Sequence, residues 1–152
     1  MPHKTLKYLV AAVSGVLLAY THLAMLGWVK SVGLVPSSVV TVSILLAEAL
    51  EYLVSTLVVC IGLGLVIGLL VKRWIDLTPA VAASSFLVTS AILIQPIVYW
   101  GIPDTVFGWQ FLCLKVAHLV VSTALLTITW VLLANHKHNR YKNTSAKSLF
   151  TI

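Results

Sequence analysis

Long uninterrupted apolar runs, separated by short clusters of glycine, proline, serine and charge, organise this chain. The apolar positions are continuous rather than striped, so each run predicts a helix that is apolar on all sides. At ~1.5 Å per residue, such a helix needs about 20 residues to cross a ~30 Å hydrocarbon layer. Four runs have that length: Tyr8 to Trp28, Val39 to Val71, Ala80 to Trp100 and Gly108 to Asn135.

The breaks between the runs have local causes. Gly33, Pro36, Ser37 and Ser38 supply a turn and a cap, because serine oxygens satisfy the orphan amides at a helix start. Thr78 and Pro79 form a start signal, with the proline in a first-turn position where its missing N–H does not matter. Gly101, Pro103, Asp104 and Thr105 make the third connection. Short connections favour antiparallel neighbours. The expected fold is therefore an all-α integral membrane protein, an up-down-up-down bundle of four transmembrane helices. Residues 1–135 form the transmembrane domain and 136–152 a basic tail. The second helix, from Val39 to Val71, would be about 50 Å long, roughly 20 Å more than the hydrocarbon requires. It is expected to tilt, to protrude, or to break near Glu48.

Composition strengthens this reading. Apolar residues make up 60% of the chain and charged ones 9%, and the mean hydropathy is +1.03, which excludes an ordinary soluble domain. Charge then sets orientation. Of the 10 lysines and arginines, all but Lys30 and Lys115 fall before the first run, between the second and third, or after the fourth. Cytoplasmic loops carry that excess, so both termini are expected on the cytoplasmic side, in a bacterial inner membrane. The net charge of +6 is thus a topology signal, with anionic lipid headgroups rather than nucleic acid as its partner. Trp28, Tyr99, Trp100 and Trp109 mark the outer interface, and Tyr8, Trp74 and Tyr141 the inner one. The first run exceeds a normal signal core and has no small-x-small cleavage site after it, so it is expected to be retained.

Candidate chemistry lies with the polar groups inside the runs, where an unpaired ionisable group costs at least ~2.5 to 3.5 kcal/mol. These are His22, Glu48, Glu51, Lys115 and His118, with Gln95 nearby. Counting from the helix ends puts His22 about 9 Å, Lys115 about 10 Å and His118 about 15 Å below the outer surface. The polar groups of all four helices therefore gather in the outer half. Glu48, Glu51 and Ser55 share one helical face, and Lys115, His118 and Ser122 another. The expectation is that these two rows face each other and neutralise their charges. A water-exposed Glu48 and Glu51 is the alternative.

In the inner half, Gly62, Gly64 and Gly68 make a smooth surface. The Gly64 and Gly68 spacing lets another helix come close, either within the bundle or from a docked partner or second copy. Cys60 and Cys113 form no Cys-x-x-Cys pair and read as packing residues.

Several functions fit these residues. The least demanding is a small polytopic protein that acts through intramembrane contacts with another membrane protein, as an accessory subunit, assembly factor or immunity-type inhibitor. A second uses His22 and His118 as axial ligands of a b-type haem, or as quinone contacts. A third is a proton- or ion-coupled transporter with Glu48 or Glu51 as protonation site and Lys115 or His118 as counter-charge. An intramembrane enzyme is disfavoured, because the only aspartates, Asp76 and Asp104, lie in loops on opposite sides, and His136 and His138 do not complete a metal site alone. A four-span pattern recurs in unrelated proteins and says little about function.

Overall fold

The computed structural model of the protein describes residues 2–33, 43–101 and 106–148, with side chains described over 5–33, 43–93 and 109–135. These residues form four helices and, among themselves, no strand. Helix α1 is Pro2–Val32, with 31 residues. Helix α2 is Ile44–Trp74, also 31 residues, and α3 is Pro79–Gly101, with 23. Helix α4 is Val106–Ser148, with 43 residues. Helices α1, α2 and α4 are long and apolar enough to cross a membrane, and α3 is apolar over Pro79–Leu93.

Helix ends follow from capping chemistry. Gly33 sits at φ 64, and its N–H bonds the Lys30 carbonyl at 3.3 Å, which closes α1. Glycine takes that left-handed conformation without a Cβ clash. Ser43 is extended, and its hydroxyl accepts the Leu46 N–H at 3.3 Å, capping α2. The described helix thus opens at Ile44. The earlier expected start at Val39 and the turn at Pro36, Ser37 and Ser38 lie outside the described residues. The Thr78 carbonyl accepts the N–H groups of Val81 and Ala82, each at 3.2 Å, so Pro79 occupies the first turn of α3 as the sequence predicts. The turn containing Pro103, Asp104 and Thr105 is outside the described residues. Helix α4 does not stop at Asn135 but continues through the basic stretch to Ser148.

Helix α2 is continuous through Glu48 and does not break there. Its irregularity lies further along, where Leu57–Leu63 is π-helical. The sequence explains why. Tyr52, Thr56, Cys60, Gly64 and Gly68 are all buried and recur every four residues. In a pure α-helix that row would rotate by ~40° per step and leave the interior within a few turns. The wider π turn absorbs the drift and keeps the row facing the bundle.

The core draws on every helix, with Leu18 from α1, Val59 and Cys60 from α2, Phe86 from α3, and Leu126 and Trp130 from α4. Small residues let the helices close on it. A Cβ at Gly15 would run into Ser85 Oγ and the Ala82 carbonyl of α3, so that helix pair depends on glycine. The opposite faces are apolar and exposed, with Leu9, Val88, Ile92, Val120 and Leu132 each more than half accessible. Such continuous apolar surface is what lipid, not water, would cover.

Candidate functional site

The polar side chains form two connected groups. The outer one is ionic. Lys30 Nζ, at the end of α1, lies 2.7 Å from Glu48 Oε1 and 2.8 Å from Oε2. It also lies 3.8 Å from Glu51 Oε2. Ser31 and Gly33 close α1 just where Ser43 opens α2, so the adjacent helix ends put this lysine beside the glutamates. The expected partnership of Glu48 and Glu51 with Lys115 and His118 is therefore not the one formed. Lys115 is half-buried on α4 and makes no ion pair among the described residues. The Lys30 side chain is 42% exposed, so the carboxylates pair at the rim of the bundle rather than in its depth.

Tyr52 connects this rim to the interior. Its ring centroid is 5.8 Å from Lys30 Nζ on one side. On the other it stacks on the His118 ring at 4.3 Å and 20°. His118 stacks in turn on His22 at 4.8 Å and 28°, and His22 leans on Phe86 at 5.8 Å and 39°. Four rings from four helices thus run inward from the ionic rim.

Thr56 joins the two imidazoles. Its Oγ1 is 3.3 Å from His22 Nε2, 3.3 Å from His118 Nδ1 and 3.0 Å from Ser122 Oγ. All four side chains are buried. Ser122 donates its only hydroxyl proton to the His118 carbonyl at 2.7 Å, so toward Thr56 it can only accept. The single Thr56 proton then has three acceptors in reach: Ser122, His22 and His118. When it points to Ser122, both ring nitrogens donate to Thr56. When it points to one imidazole, the other donates. These placements share one set of heavy-atom positions and differ only in where protons sit.

A cleft adjoins the rings. It is lined by Ala19, His22, Leu23, Leu26, Ser90, Leu93 and His118, and offers about 20 Å³ to the centre of a water molecule.

Of the residues singled out from sequence, His22 and His118 meet at this centre, as does Ser122. Glu48 and Glu51 stay at the rim. Ser55 is buried but turns its hydroxyl to the Tyr52 carbonyl at 3.0 Å. The Gln95 side chain lies outside the described residues. Gly64 and Gly68 pack within the chain: Trp130 Nε1 donates to the Gly64 carbonyl at 3.0 Å, and a Cβ at Gly68 would press on Leu133 and Trp130. Gly62 faces open space. Cys60 belongs to the core, whereas Cys113 is exposed. Comparison adds no relative: no family model, curated protein or solved structure matches this chain. Sequence reasoning missed Thr56, Tyr52 and Lys30. The four-residue row on α2 was the signal for the first two, and the closeness of Lys30 to the end of its helix for the third.

The ring geometry also bears on cofactors. Axial ligation presents two imidazoles edge-on to one iron, from opposite sides of a macrocycle. Here the rings stack face to face and direct one edge each at a shared hydroxyl. That arrangement does not fit a haem. Among the described residues, no group of three or more histidine, cysteine, aspartate or glutamate side chains could hold a metal ion.

Proposed function

We propose that the protein is a small proton-coupled transporter of the bacterial inner membrane, with four crossing helices and both ends in the cytoplasm. The observation that carries the reading is the Thr56 hydroxyl within 3.3 Å of both imidazoles in the bundle interior. An excess proton on His22 can leave from Nε2 to Thr56 Oγ1 while the Thr56 proton passes to His118 Nδ1. The charge moves from α1 to α4, and no heavy atom needs to travel. Glu48 and Glu51 sit at the partly exposed rim on the far side of Tyr52, which meets His118 by ring stacking, so they would draw protons to the neighbourhood of the pair rather than hand them on through the ring. Intramembrane ionisable residues of this kind generally mark ion or proton pathways.

An accessory subunit acting through intramembrane contacts is the other reading, but Gly64 and Gly68 would not be its docking face, because Trp130 and Leu133 of the same chain already cover them. Lipid is the partner that the exposed apolar faces suit.

The test is proton flux into dye-loaded liposomes across an imposed pH gradient. Flux above that of protein-free liposomes is expected, kept by Thr56→Ser and lost in Thr56→Val. No flux, or flux indifferent to Thr56→Val in folded protein, would refute the reading.

A further inference from the structure

We infer that the cleft between α1, α3 and α4 is a built water site, and that its water is the external hydrogen-bond partner of the imidazole pair. Three observations converge on it. Ser90 is 4% exposed, lines the cleft, and its Oγ has no hydrogen-bond partner among the described residues. A buried hydroxyl left unpaired is costly, so a partner there is strongly favoured. His22 and His118 line the same cleft, and each bonds Thr56 through one ring nitrogen only. The second nitrogen of each ring has no protein partner among the described residues.

Size selects the ligand. A cavity needs about 10 to 15 Å³ on this measure to hold a water, and a buried water needs two to four polar partners. The cleft offers about 20 Å³, and among the described residues its polar lining consists of Ser90 and the two histidines. The rest of the described lining is Ala19, Leu23, Leu26 and Leu93, whose side chains offer a larger polar solute no hydrogen bond. One water therefore fits by volume and by hydrogen-bonding capacity.

The site gives the relay its outside contact. Thr56 passes a proton between the imidazoles but has no free valence for a fourth group. Exchange with anything beyond the pair has to use the other ring edges, and the cleft is where a hydrogen-bonding molecule can reach them. This role rests on the proton-coupled reading; the water site itself does not.

Solid-state NMR on full-length protein in lipid bilayers, with 15N-labelled histidine, tests it by polarisation transfer from water protons to the ring nitrogens. Transfer to His22 and His118 is expected in the wild type. It should be lost in Ser90→Val, which removes the hydroxyl and fills the cleft, and reduced in Ser90→Ala, which adds no bulk. Unchanged shifts of the Thr56-facing nitrogens report that each variant keeps its fold. Absent transfer in the wild type, or transfer undiminished in both variants, overturns the site. Liposome flux separates the two ideas: water contact without flux upholds the site and sinks only the proton-coupled reading, and flux without water contact does the reverse.

Discussion

Trp130 of α4 donates its indole N–H to the carbonyl of Gly64 at 3.0 Å, at the residue where the π-helical stretch of α2 ends. That carbonyl is accessible to a side chain because Gly64 and Gly68 leave a groove that Trp130 and Leu133 fill. The indole is fully buried, so the bond is shielded from solvent. Trp130→Phe keeps most of the apolar contact but removes the indole's bond to a carbonyl that the helix backbone also uses, and should cost about 1 kcal/mol. Gly68→Leu should cost more, because its Cβ would press on Leu133 and Trp130. Unfolding by denaturing detergent, followed by far-UV circular dichroism, checks both the sign and the order.

The imidazole pair should be energetically coupled through Thr56. His22→Phe and His118→Phe each remove one partner of a shared hydroxyl, and neighbours in one network are not additive. A double-mutant cycle should return an interaction of about 1 kcal/mol, falling toward zero when repeated in Thr56→Val. A cycle that closes additively in the Thr56 protein would show that the rings merely stack.

The rim ion pair should matter little for stability. Lys30 is 42% exposed, and exposed pairs are worth about 0 to 1 kcal/mol and weaken with salt. Glu48→Gln, which removes the 2.7 Å partner, should therefore have a small effect, and Glu51→Gln, at 3.8 Å, a smaller one. If these residues gather protons, the same substitutions should reduce liposome flux well beyond their effect on unfolding. Lys115→Met, which breaks no ion pair among the described residues, serves as the control.

Hydrophobic continuity made the helical class legible, because apolar runs of that length have few other uses. Thr78 and Pro79 announced the start of α3 through backbone chemistry that needs no distant partner. Depth along each helix put His22 and His118 in the same half of the bundle but about 6 Å apart, a gap that only helix tilt closes. The partner of Glu48 was not: spacing says which residues share a face, but not which neighbouring helix that face meets. Lys30 won over Lys115 because α1 ends where α2 begins, a relationship fixed by the packing of whole helices. Thr56 stayed hidden because a threonine in a membrane helix usually bonds its own backbone, as Thr123 and Thr127 do here with the Leu119 and Thr123 carbonyls.

The π-helical stretch offers the sharpest test of how α2 positions this site. Val58 lies within Leu57–Leu63 and faces outward at 43% exposure. Deleting it removes the extra residue that the wide turn accommodates, and should let the segment relax to an α-helix at little local cost. The two halves of α2 should then keep their relative facing, because the seven steps left between Thr56 and Gly64 turn through ~700°, close to two full turns. Thr56 stays between the imidazoles and Gly64 against Trp130. The helical circular dichroism signal, the histidine nitrogen shifts and the flux should therefore all persist. A helical deletion protein that loses the histidine shifts and the flux together would show that the π turn itself is needed to hold Thr56 between the rings.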